Sequence, residues 1–123
     1  MNIAFAIAAF GSIVICGIHI VAGGRENVRP LLQAKKLPPG VAVTLYYSWH
    51  LVSITLAAMG VFFLLAALNE TYVSLAVAAS TLSALFAALS LFITAVKRLR
   101  FAVLPQWVFF APVAVCGFWG LMA

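Results

Sequence analysis

No charged side chain occurs before Arg25, between Lys36 and Glu70, between Glu70 and Lys97, or after Arg100. Four long stretches of the chain are therefore free of charge, and each is filled mainly with Ala, Leu, Val, Ile and Phe. A helix that crosses a bilayer needs about 20 such residues. In hydrocarbon, each backbone N–H and C=O must be satisfied within the spanning structure, which a helix does unaided. Residues 3–22, 41–68, 72–96 and 105–123 each come to about that length or more. They predict an all-α integral membrane protein in which four transmembrane helices form an up-down bundle, a single domain over residues 1–123. Composition excludes the soluble alternative: 7% of the residues are charged, against about 25% in a soluble domain.

The connecting segments orient the bundle. The 23–40 loop carries Arg25, Arg29, Lys35 and Lys36, and the 97–104 loop carries Lys97, Arg98 and Arg100. The "NET" turn at 69–71 carries no basic residue and one acid, Glu70. All seven basic side chains thus fall on one side, which the positive-inside bias assigns to the cytoplasm. Both termini are then expected on the non-cytoplasmic side, and a bacterial inner membrane is the expected location. The first segment is expected to remain in the protein, because no basic residue precedes its apolar run as a cleaved leader requires. The net charge of +5 is read as topology rather than as a nucleic-acid footprint, since every basic residue lies between apolar runs.

Helices in lipid associate through small residues and occasional interhelical hydrogen bonds. Such residues recur at helical spacing in each run: Ala8, Ser12, Cys16, His19 and Gly23; Tyr46, His50, Ser53, Ala57 and Gly60; Ala76, Ser80, Ser83, Ala87, Ser90 and Thr94; Pro112, Cys116 and Gly120. Close packing accounts for the third set completely. Cys16 and Cys116 read as small packing residues. Surplus packing-competent faces point to self-association or to membership of a larger membrane complex.

His19 and His50 exceed plain packing, because ionisable groups inside spans tend to face the bundle interior and to serve a function. Three readings compete. In the first, each ring is satisfied locally: His19 by a serine or a backbone carbonyl, His50 by Tyr46 or Ser53. In the second, His19 and His50 join Arg25, Glu26, Arg29, Tyr46 and Tyr47 around a polar pocket open to the cytoplasm. Arg25 and Arg29 share a face if that segment is helical, and their guanidinium forks suit phosphate or carboxylate. In the third, the imidazoles are the axial ligands of a b-type haem, which makes His19 and His50 metal ligands only if haem is bound. Zinc normally takes at least three protein ligands, and carboxylates are scarce here.

The stretch "GGRENVRPLL" also has an ordinary explanation. Gly23 or Gly24 can supply a left-handed C-cap for the first helix. Basic residues suit both a helix C-terminus and anionic lipid. Proton-coupled carriers bury an acid within a span, whereas Glu26 and Glu70 both fall in loops. Small multidrug exporters share this length and four-span layout, but their membrane-embedded glutamate has no counterpart in residues 3–22. No catalytic motif is present. The expected function is that of an accessory or self-associating membrane subunit with a ligand pocket around His19 and His50. The alternatives are a bis-histidine haem redox protein and a transporter of a small anionic solute. The expected partners are the bilayer, anionic lipid at its cytoplasmic face, and a second copy or a larger membrane complex, without nucleic acid.

Overall fold

The computed structural model describes residues 1–123, whose regular structure is entirely helical with no strand. The first helical run is continuous from Ile3 to Gln33. It comprises α1 (Ile3–Ile18), a wider π-helical segment (His19–Val28) and α2 (Arg29–Gln33). α3 covers Pro39–Leu68, a short 3-10 turn (Glu70–Tyr72) leads into α4 (Val73–Val96), and α5 covers Gln106–Met122. The runs Ile3–Gln33, Pro39–Leu68 and Glu70–Val96, of 31, 30 and 27 residues, are long and apolar enough to cross a membrane.

The fourth helix is apolar but shorter, at 17 residues. It rises about 26 Å, less than a hydrocarbon core of about 30 Å. Three helices rather than four therefore reach spanning length on their own. The shortfall begins at Pro105, whose ring fixes φ and marks the start of the helix. Ser90 secures that start: its hydroxyl donates to the Leu104 carbonyl at 3.0 Å and accepts from the Trp107 N–H at 3.3 Å.

Asn2 gathers one end of the bundle. Its side-chain oxygen caps α1 by accepting from the Phe5 N–H, its amide Nδ2 donates to the Gly120 carbonyl at 2.9 Å, and its N–H donates to the Ala67 carbonyl at 2.9 Å. The start of α1 and the ends of α3 and α5 thus meet, together with the 3-10 turn that follows α3. α1 packs on α3 and α5, and α4 packs on α3 and α5, so the four helices close a ring of antiparallel neighbours. The core runs down its centre, with Phe5, Leu56, Met59 and Phe63 set among alanines. Small residues bring the helices close. A side chain at Gly117 would overlap the Ser80 hydroxyl of α4 and sit 3.1 Å from Phe63.

Several expectations change. The first helix does not end at Ala22, and no glycine adopts a left-handed conformation. Gly23 and Gly24 instead lie inside the π-helical segment, and the connecting loop shrinks from 23–40 to 34–38. The left-handed cap falls on Arg98 (φ 51°) at the end of α4. There the Leu99 N–H bonds the Thr94 carbonyl and the Arg98 N–H bonds the Ala95 carbonyl, a Schellman ending built without glycine.

The buried face of α3 is set by Leu56, Met59, Gly60 and Phe63. Extended backward, that register reaches Ser53 and Trp49, while Tyr46, His50 and Ala57 are exposed. In α5 the inner face is Phe110, Val113, Ala114, Gly117 and Gly120, with Pro112 exposed. α4 follows the expected stripe, since Ala76, Ser80, Ser83, Ala87, Ser90 and Thr94 are all buried.

A candidate ligand cleft beside His50

The α1–α3 hairpin continues beyond the core. No residue between Ile15 and Leu56 is buried, although the charge-free part of α3 extends through this region. α3 is 30 residues long, or about 45 Å, so its first half stands clear of the packed centre. What holds the two arms together here is polar and aromatic. The His19 ring stacks on the Trp49 indole, with centroids 3.8 Å apart and planes 17° from parallel. His19 Nε2 lies 3.2 Å from the Trp49 carbonyl. A carbonyl only accepts, so the proton sits on Nε2 and His19 donates. One turn away, the Cys16 thiol donates to the Ser53 carbonyl at 3.8 Å. The Ser53 hydroxyl in turn donates to the Trp49 carbonyl at 3.3 Å.

Gly23 completes this contact. A Cβ there would lie 3.1 Å from Trp49 Cζ2 and nearer still to Cη2. The glycine is needed for close approach of the indole, rather than for a turn. The neighbouring Gly24 has nothing within 4 Å of where a Cβ would stand. The π-helical bonding, seen where the Arg29 N–H reaches back five residues to the Gly24 carbonyl, allows both glycines to remain in one helical run.

Gly24 faces a half-open cleft of about 270 Å³. Ile20, Gly24 and Val28 form one wall, and Tyr46, Trp49, His50 and Ser53 form the other. Tyr46 meets His50 edge to face at 4.5 Å and 81°. A hollow of about 520 Å³ at Pro38, Gly40, Val41, Thr44 and Leu45 is larger, but it is shallow and has no ionisable lining.

The residues singled out from the sequence thus divide. Tyr46 and His50 line the cleft. His19 does not: it is half-buried behind the wall and is occupied by Trp49. Tyr47 is exposed outside the lining. Arg25, Glu26 and Arg29 are exposed and make no ion pair, with Arg25 and Arg29 immediately following the lining residues Gly24 and Val28. The two imidazoles each have an aromatic partner of their own, Trp49 for His19 and Tyr46 for His50. Haem ligation through His19 Nε2 would break its bond to the Trp49 carbonyl and part the stacked rings, so the arrangement does not favour a haem between the histidines. No three His, Cys, Asp or Glu side chains gather as a metal site.

Trp49 lies near the start of its span, where an aromatic residue is expected to anchor at the membrane interface, and it is instead the centre of the α1–α3 contact. The signal that identifies it is the spacing 49, 53, 56, 60, 63, which places it on the buried face of α3. No family model, curated protein or solved structure matches the chain.

Proposed function

We propose that the protein is a small integral membrane subunit of a bacterial inner membrane, with its basic end in the cytoplasm and both termini on the other side. In this role it is accessory: it binds a ligand in the Tyr46–His50 cleft and presents the flank of the α1–α3 hairpin to a second copy or to a larger membrane complex. Three apolar helices of spanning length support the membrane placement. The location of all seven basic residues in the segments opposite the Asn2 end supports the orientation.

The observation that carries the reading is the uncovered hairpin. From Cys16 to Thr55 no side chain is buried, and Ile20, Val21, Leu51, Val52 and Ile54 are exposed apolar residues on its two arms. An apolar surface of that extent is typically covered by lipid or by protein. Within α4 the stripe from Ala76 to Thr94 is consumed by the protein's own core, whereas the hairpin has no buried residue at all between Ile15 and Leu56, and it is to the hairpin that we assign the association.

Amine-reactive crosslinking through Lys35 and Lys36 in native membranes tests the role. A discrete dimer or a defined heteromeric product is expected. Monomer alone, under conditions that crosslink a known membrane oligomer, would remove the accessory and self-associating role.

A further inference from the structure

The two arms of the cleft are not equivalent. Behind it, the polar groups of His19, Ser53 and Cys16 are used up on the Trp49 and Ser53 carbonyls. Tyr46 and His50 line the space, and neither side chain makes a hydrogen bond within the protein. Neither packing nor α1–α3 adhesion explains these two groups, since both face outward from the buried side of α3.

The surrounding charge specifies what they can meet. Arg25 and Arg29 each stand one residue beyond a lining position, and neither is neutralised by Glu26 or Glu70. Tyrosine O–H, imidazole N–H and guanidinium N–H are all donors. Their complement is an acceptor-rich anion, and a phosphodiester fits that description. The volume of about 270 Å³ falls just below the range of roughly 300–1,000 Å³ that encloses a whole drug-sized ligand. It holds a head group and leaves the rest of the molecule outside. Outside are Val21, Leu51 and Ile54, all exposed and apolar, a surface for acyl chains.

We infer that the cleft binds the head group of an anionic phospholipid. Arg25, Arg29, Tyr46 and His50 hold the phosphodiester, Trp49 forms the floor, and the acyl chains occupy part of the hairpin flank, the rest of which is left for the neighbouring subunit. This rests on the membrane placement proposed above. Gly24 keeps the space open, and because a Cβ there meets no neighbouring side chain within 4 Å, a larger residue has room to enter the cleft.

Native mass spectrometry of the full-length protein, extracted from nanodiscs holding equal phosphatidylglycerol and phosphatidylcholine, tests the inference. One phosphatidylglycerol should be retained in clear preference to phosphatidylcholine, and Gly24→Leu should abolish that preference while the protein keeps its helical content. Replacing Arg25 and Arg29 together by Gln should weaken retention about thirtyfold, from about 1 kcal/mol per basic residue at a lipid surface. Equal retention of the two lipids, or retention unchanged by Gly24→Leu, overturns the inference. Displacement of the lipid by millimolar inorganic phosphate also overturns it, by showing a site for free anion. Insertion of the same chain into the nanodisc, read by protection of its helices from protease, is scored separately. A protein that inserts but shows no lipid preference refutes the head-group site alone, whereas one that does not insert refutes the membrane placement.

Discussion

Adjacent glycines in the π-helical segment should respond in opposite directions to the same substitution. In Gly23→Ala, the new methyl group meets the Trp49 ring, with Cζ2 at 3.1 Å and Cη2 closer. The indole cannot swing away freely, because the His19 ring is stacked on it at 3.8 Å. Overpacking of this kind costs about 1–3 kcal/mol. Shifting the indole also disturbs an aromatic stack, valued at about 0.5–1.5 kcal/mol, and a membrane hydrogen bond that averages about 0.6 kcal/mol. Against this, alanine improves helix propensity over glycine by about 1 kcal/mol. The sum is a net destabilisation of about 1–4 kcal/mol. Gly24→Ala meets no atom within 4 Å and retains only the propensity gain, so it should be neutral or stabilising by up to about 1 kcal/mol. Equilibrium unfolding in mixed micelles, followed by circular dichroism, measures both. If Gly23→Ala equals or exceeds the parent in stability, the Trp49 contact is not what holds the hairpin. If Gly24→Ala loses about 1 kcal/mol, a left-handed cap at that glycine is the better account.

Other substitutions probe separate parts of the bundle. Ser90→Ala removes a donor to Leu104 and an acceptor for Trp107; it should cost about 1–3 kcal/mol and expose the start of α5 to protease before the other helices. Ser80→Ala should be neutral or stabilising by about 1 kcal/mol, because its hydroxyl is fully buried without a hydrogen-bond partner; thermal unfolding showing a clear loss would indicate a partner such as bound water. Arg98→Gly relieves a left-handed backbone at φ 51°. It should raise stability by about 0.5–1 kcal/mol, the steric relief being partly offset by the flexibility glycine adds to the unfolded chain.

The helices were legible because charge is so sparse. Lys36 and Glu70 bracket α3, and Glu70 and Lys97 bracket α4, each within three residues, whereas α5 begins six residues after Arg100. The inner face of α4 was legible for a related reason: Ser80, Ser83, Ser90 and Thr94 stand out against Leu and Phe, and small polar residues in such a helix seek neighbours rather than lipid. α3 gave no such contrast. It is apolar all round, and an aromatic residue near a span end is as consistent with an interfacial belt as with packing. The same ambiguity hid the glycine pair. "GGR" after an apolar run satisfies the rules for a helix C-cap, and π-helical bonding leaves no residue pattern of its own. Only the position of the Trp49 ring over Gly23 separates the two. Of the candidate site, Tyr46 and His50 fall together because they are one turn apart on α3. His19 is grouped with them in the sequence as the other ionisable side chain within a span, but its position on the α1 side turns it to the Trp49 carbonyl instead.

The account depends most on both basic loops lying together on the cytoplasmic side of a membrane, opposite the 3-10 turn. Single cysteines at Lys36, Arg100 and Thr71, in a background carrying Cys16→Ala and Cys116→Ala, place these points by labelling with a membrane-impermeant thiol reagent. In right-side-out vesicles only the cysteine at position 71 should react, and in inverted vesicles only those at 36 and 100. Labelling of positions 36 and 100 from opposite sides, or of all three from both, would contradict the proposed placement and with it the membrane-facing cleft.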